Sequence, residues 1–451
     1  MLPALLAGYL FLLIFRPYEY WPWLGSYRIE RVYMIIFMIL VMFSAKKKWF
    51  QSPINVCVAI FVADLLVSGV FALKGDAAWF FIQDYLKYVV FYIIVILVIN
   101  DKVDMQTVLL AMLGVMILYV GKSAWEFFVN GRYEYTMGIK RMVGVDQTYG
   151  APNSFAATIC YSLPLLWAMI RHNIDNKVLK IALWGYGALA VVAIIFTGSR
   201  SGMMTLVLFL LLAGVSSSRK IVGLLVVCVC LFVGWDFVPE DLQTRFISTV
   251  EKGHAPASAD NSAAGRLAGF LQGVDVFMKY PLMGIGPANF PYGWPGIAKG
   301  FNAHNLYGQI LGELGIFGVL TFGALVLMVY RTNRKNVILM RKMFPVPVDA
   351  KGKTSRHLAT EIVPKALDVS IDGRNSKQGF MASLQAPLTD KMRSVTFLVL
   401  IATSVNQTLI LMLFKGWGDH NLYRYTWLWL AAITILCDYL MRQEVVKNGN
   451  S

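Results

Sequence analysis

Three places in the sequence put basic or titratable side chains where chemistry on an anion is feasible. In Thr197-Gly198-Ser199-Arg200-Ser201-Gly202, a tight turn between two apolar runs, Arg200 stands alone among glycines that let a backbone approach closely. Gly265-Arg266 stands at the start of a stretch with helical apolar spacing. Exposed N–H groups at such a start favour an anion, and a guanidinium adds a bidentate fork suited to phosphate oxygens. His304 opens an apolar run and carries the one side chain that both takes and gives a proton near neutral pH without a special environment. Taken singly, each has a plainer reading: an arginine snorkelling to headgroups, a solvated surface charge, an interfacial histidine. Two isolated arginines and a histidine flanking one long loop are, together, what an anionic leaving group needs. The arginines would hold a diphosphate and stabilise its charge as it leaves, and the histidine would activate an acceptor hydroxyl. Lys87, Arg132, Lys140 and Arg141 extend the basic rim.

The elements that must position these residues are membrane helices. Of 451 residues, 57% are hydrophobic and 15% charged, and the apolar residues come in long unbroken runs. Backbone polar groups in hydrocarbon must be satisfied within a helix or a closed barrel, and these runs lack the alternation of a barrel. The fold class expected is an all-α polytopic membrane protein with about twelve transmembrane helices. The spans are placed at 2–15, 32–45, 54–73, 86–99, 105–121, 154–170, 178–197, 203–215, 220–236, 304–330, 394–414 and 421–441. The first run has no basic flank or small-residue cleavage site and reads as a retained helix. A cytoplasmic N-terminus puts Lys46, Lys47 and Lys48 inside, as the bias of basic residues requires, and Arg200, Arg266 and His304 outside. The net charge of +15 is explained by this topology, and no nucleic-acid partner is implied.

The organisation expected is a bundle of nine spans over 1–236, an extracytoplasmic loop over 237–303, a tenth span over 304–330, an inside loop over 331–393, and two last spans with a tail over 394–451. In the outer loop, Leu267, Phe270, Leu271, Val274 and Phe277 recur at helical spacing, with Asn261 or Ser262 as cap and Pro281, Gly284 and Gly286 beyond the end. The inside loop carries four prolines, shows no periodicity, and reads as flexible. All five cysteines lie in apolar runs and suggest neither disulfides nor zinc. Gly284-Ile285-Gly286 lacks the third glycine of a dinucleotide loop, and there is no Walker lysine, HExxH or paired outer aspartates. No metal and no nucleotide cofactor is expected. His304-Asn305-Leu306-Tyr307 is echoed by His420-Asn421-Leu422-Tyr423.

These motifs, in this order, resemble the O-antigen ligase and O-antigen polymerase superfamily of bacterial envelope glycan transferases. The likeness is carried by Thr197 to Gly202, by Gly265-Arg266 with the following helix and Pro281 to Phe290, and by Ala303 to Tyr307 running into Glu313 to Gly318. It covers roughly 150 to 330 and includes Gly150-Ala151-Pro152-Asn153. The resemblance implies a metal-independent glycosyltransferase of the bacterial inner membrane, with its active site facing the periplasm. The donor would be an undecaprenyl-diphosphate-linked glycan, moved en bloc to a glycan or lipid acceptor such as lipid A core. Membrane lipids would be the remaining partners. It further implies that Arg200 and Arg266 contact the diphosphate, that His304 acts on the acceptor hydroxyl, and that Arg141 adds a diphosphate contact. The inside segment 331–393 is longer than expected of a ligase.

A ligase is the leading expectation. A polymerase would use the same donor with a second lipid-linked repeat as acceptor, and a protein oligosaccharyltransferase would use a protein hydroxyl. A secondary transporter would want paired inverted repeats and midplane charges, and the main buried acids, Asp64 and Glu313, have no counterpart in the other half. A structural scaffold would leave the outer arginines and His304 replaceable.

Overall fold

The computed structural model describes residues 1–44, 51–136, 138–172, 174–216, 239–247, 257–294, 301–343 and 374–449. Its helices are α1 (Leu2–Ile14), α2 (Pro17–Tyr20), α3 (Pro22–Ser26), α4 (Ile29–Ser44), α5 (Pro53–Val70), α6 (Gly75–Val98), α7 (Lys102–Phe128), α8 (Pro152–Arg171), α9 (Lys177–Phe196) and α10 (Arg200–Val215). After these come α11 (Glu240–Ile247), α12 (Ala257–Lys279), α13 (Leu306–Met343), α14 (Arg374–Gly416) and α15 (Thr426–Gly449). Among the described residues, eight helical stretches are long and apolar enough to cross a membrane: Leu2–Tyr20, α5, α6, α7, α8, α9, α13 and Arg393–Gly416 of α14. The chain is an all-α membrane protein. The expected span 203–215 is the shorter apolar helix α10, while 32–45 and 421–441 fall on α4 and α15, outside those eight. The span placed at 220–236 and the lysines 46 to 48 lie outside the described residues.

The helices run past the apolar stretches that mark them. α6 begins at Gly75, well before the span expected at 86, because hydropathy marks only the hydrocarbon zone and a helix need not stop there. The inside segment expected to be flexible is helical where described: α13 continues to Met343 and α14 starts at Arg374, with 344–373 outside the described residues. Among the described residues, one element is not helical. β1 (Glu134–Thr136) and β2 (Ile139–Arg141) pair antiparallel with Glu134 opposite Arg141, a hairpin that the helical reading did not include.

Two features fix the end of the bundle where the site lies. α13 breaks at Gly315 (φ 61°, ψ −152°). The carbonyls of Gly312 and Glu313 accept from Ile285 and Gly286, both at 2.9 Å, while Ile316 N–H donates to Pro281 at 2.8 Å. The loop after α12 thus satisfies the backbone groups that the break frees, as a buried interruption requires. A Cβ on Gly315 would lie 2.6 Å from the Leu282 carbonyl oxygen, and one on Gly284 2.4 Å from the Glu313 carbonyl carbon, so both positions need glycine.

The second feature is the crossing of α12 over the start of α13. A Cβ on Gly269 would lie 1.8 Å from the Ala303 oxygen, one on Gly273 2.3 Å from the Gly308 oxygen. Glycines four apart on α12 meet Gly308 and Gly312 of α13, and small residues at this spacing allow backbones to touch. The face of α12 against the bundle is therefore its glycine face. Leu267 and Leu271 of the apolar set are exposed, and Asn261 and Ser262, expected as caps, lie inside the helix.

Candidate active site

The turn before α10 is built by its own side chains. Gly198 takes a left-handed φ of 57°. Thr197 Oγ1 accepts from Ser199 N–H at 3.2 Å, and Ser199 caps α10 by accepting from Gly202 N–H at 3.1 Å. Arg200 is thereby the first residue of α10 and is buried. The helix start proposed for Arg266 belongs instead to Arg200. Arg266 lies well inside α12, so the dipole argument does not apply to it.

Arg266 reaches α14's end, where a Cβ on Gly418 would lie 3.2 Å from its guanidinium carbon and 3.4 Å from Ser201 Cβ. Its pKa is lowered from the usual guanidinium value, first by burial and then by Arg200, with Asp419 opposing. The two arginines are therefore neighbours. Ser201 accepts from Lys415 Nζ at 2.8 Å, and Lys415 is fully buried at the C-terminal end of α14.

His304 precedes Asn305, which caps α13 by accepting from Tyr307 N–H at 2.9 Å and Gly308 N–H at 3.0 Å. His304 itself holds a left-handed φ of 45°, a conformation that costs a non-glycine residue about 1–2 kcal/mol. The residue is exposed, yet partial burial of its ring lowers its pKa below the ordinary imidazole value. His420 and Arg266 push the same way and Asp419 opposes. The His304 and His420 rings meet edge to face with centroids 5.2 Å apart.

His420 brings in a group of residues that motif reading left aside. Asp419 is buried and sits 3.9 Å from His420 Nδ1 and 3.8 Å from Arg424 Nη2. Burial would raise its pKa, but Lys415, Arg424 and the two histidines hold it below the usual carboxylate value. Arg424 donates to Thr158 Oγ1 at 2.9 Å, tying this loop to α8. Three cations, Arg266, Lys415 and Arg424, are thus coupled to one carboxylate, and Arg200 adds positive charge beside Arg266.

The other expected residues have different places. Arg141 is buried, and its guanidinium donates to the Thr197 carbonyl at 2.8 Å, Asn153 Oδ1 at 3.0 Å and Thr136 Oγ1 at 3.3 Å. It ties the hairpin to the turn that carries Arg200 and to the start of α8, so it positions the site from behind. Lys87 pairs with Asp84 across one turn of α6. Among the described residues, no group of three or more His, Cys, Asp or Glu side chains is placed to hold a metal ion.

Glu313 is also buried, and it accepts from Tyr423 Oη at 2.6 Å and Phe290 N–H at 3.2 Å. It joins the broken helix α13, the loop after α12 and the second His-Asn-Leu-Tyr copy. The two copies lie face to face through their histidines, and both asparagines are buried.

The ends of several helices thus gather arginines, a buried lysine and two histidines around one carboxylate. Residues 185–323 match the family model described as O-antigen ligase, and over that stretch the chain is similar to a family of glycosyltransferase-like enzymes. The matched stretch contains Arg200, Arg266 and His304, whereas Arg141, Lys415, Asp419, His420 and Arg424 lie outside it. A search of curated proteins returned no match.

Proposed function

We propose that the protein is an O-antigen ligase-like glycosyltransferase that moves a glycan en bloc from undecaprenyl diphosphate to an acceptor hydroxyl, on the periplasmic face of the bacterial inner membrane and without a metal. The observation that carries this reading is the excess of coupled cations over carboxylate beside His304. Such a cluster stabilises an anion most where its charge grows, and on departure the diphosphate gains the electron pair of the bond to the sugar. In the step, the acceptor oxygen attacks the anomeric carbon, the bond from that carbon to the phosphate oxygen breaks, and undecaprenyl diphosphate leaves with the electrons. His304 takes the acceptor proton. Its lowered pKa keeps the imidazole neutral, as a base must be. Arg200 and Arg266 hold the diphosphate, and Arg141 acts through the turn.

The test is a gel profile of surface and carrier-linked glycans in a strain lacking the protein, complemented with wild type, His304→Ala or Arg266→Ala. Long chains retained on the carrier, in the deletion and in both variants while the variants still reach the membrane, are the expected result. Attachment of single repeat units alone identifies a polymerase, and unchanged glycans refute the proposal.

A further inference from the structure

Beside the cationic cluster, on the other side of His420, lies a cavity of about 350 Å³ of a different character. Its wall is aromatic, with Phe81, Tyr88, Tyr149 and Tyr423 among its rings. Its polar groups are mostly acidic or amide: Asp84, Glu313 and Asp419 against the single guanidinium of Arg424, together with Asn302 and Gln309. Three of these lining residues carry a buried polar atom with no hydrogen-bond partner among the described residues: Gln309 Oε1, Asp419 Oδ2 and His420 Nδ1. Gln309 and Asp419 are more than nine-tenths buried. Buried polar atoms are nearly always paired, so three such residues around one cavity leave spare hydrogen-bonding capacity in its wall.

We infer that this cavity is a sugar subsite, holding the ring next to the reacting bond. The inference rests on the proposed glycan transfer and says where the glycan sits. Asp84 pairs with Lys87 and Asp419 with Arg424, so the wall offers phosphate little net positive charge, whereas hydroxyl groups donate to carboxylate and amide oxygens and the C–H faces of a sugar lie against aromatic rings. The volume falls at the lower end of the ~300–1,000 Å³ of small-molecule pockets, which suits one ring with its substituents better than a chain of them. His420 lines the cavity and touches His304, so a ring seated there presents its reacting atom at the boundary with the cationic cluster. The two compartments divide a substrate by chemistry, diphosphate on one side and neutral polyol on the other.

Binding to purified full-length protein in lipid nanodiscs tests this. The probes are undecaprenyl diphosphate alone, the carrier-linked glycan extracted from a strain lacking the protein, and core oligosaccharide freed of its lipid from the same strain. The variants are Asn302→Trp, an exposed position whose side chain would fill the mouth, and Gln309→Ala. Wild type should hold the carrier-linked glycan about tenfold more tightly than the bare carrier, or hold the core oligosaccharide measurably, which separates a donor from an acceptor subsite. Both variants should lose that gain and keep their affinity for the bare carrier, which also shows them to be folded. A gain that survives in both variants, or no gain from either sugar probe in wild type, overturns the subsite. Should the bare carrier fail to bind wild type while the core oligosaccharide binds and is lost in the variants, the subsite stands and the donor reading falls.

Discussion

Asp419→Asn removes the carboxylate that Arg266, Lys415, Arg424 and both histidines share, and it changes size little. With Arg424 Nη2 at 3.8 Å, the pair is worth about 4 kcal/mol in gross Coulomb energy at an effective dielectric of about 20. That agrees with the ~3–5 kcal/mol typical of breaking one side of a buried pair, so the variant should accumulate at a reduced level. The sharper consequence is in pH. A carboxylate 3.9 Å from His420 Nδ1 favours the imidazolium and therefore raises the histidine pKa; its loss lowers it further. His420's side chain is 37% exposed, which calls for water-like screening, and the interaction is then about 1 kcal/mol, or about 0.8 pH unit. His304 shifts in the same direction. The proposed transfer requires neutral imidazole and so should fail as pH falls through a pKa already below the ordinary histidine value. In Asp419→Asn that acidic limb should move to lower pH by on the order of one unit. The assay is the pH profile of transfer by purified protein on carrier-linked glycan, normalised to protein amount, with Asp419→Glu restoring the wild-type limb. An unmoved limb, or one moved to higher pH, refutes the coupling of Asp419 to the histidines.

Arg141→Lys replaces three donors by one ammonium that cannot span Thr197, Asn153 and Thr136 together. A carbonyl left unsatisfied there costs about 1–3 kcal/mol, and transfer per molecule should fall more than carrier affinity, as a kcat-against-KM comparison will show. Gly269→Ala places a Cβ where the Ala303 oxygen lies, so the variant should lose thermal stability in detergent although alanine is the better helix former. Gly265→Ala, with open space around its Cβ, should melt at or slightly above wild type. Equal melting of both variants would contradict the close crossing.

Which parts of the site were legible in the sequence depended on whether a residue's role was local. Arg200 and His304 stood out because each is a charged or titratable group at the edge of an apolar run, and their setting, a glycine turn and a helix start, is written in adjacent residues. Arg266 was found by its place beside Gly265, but its helix was read from the apolar spacing of Leu267 to Phe277. Of that set Leu267 and Leu271 are exposed, and Phe270 packs on Trp417 beside the crossing. In a tight crossing the buried face is the small one, and the signal was Gly269 and Gly273, four apart. The hairpin left no mark beyond a few residues and was missed for that reason.

Asp419, His420, Lys415 and Arg424 were harder to find because their roles are made by contacts from distant helices. Lys415 reads as the last residue of an apolar run until Ser201 is seen to receive its ammonium. The sequence did carry one pointer, the repeated His-Asn-Leu-Tyr, which is weak on its own because four residues recur by chance. The two copies meet through their histidines but use their other residues differently. Asn305 caps its own helix, whereas Asn421 donates to Tyr161 Oη at 3.0 Å; Tyr307 donates to the Leu413 carbonyl, whereas Tyr423 donates to Glu313. What the copies share is therefore the placement of a histidine beside a helix end, and the bundle brings those two histidines together. If the second histidine contributes to the site through that contact, His420→Phe should keep the ring packing on His304 and still change the acidic limb, whereas a purely packing role would leave the limb where it is.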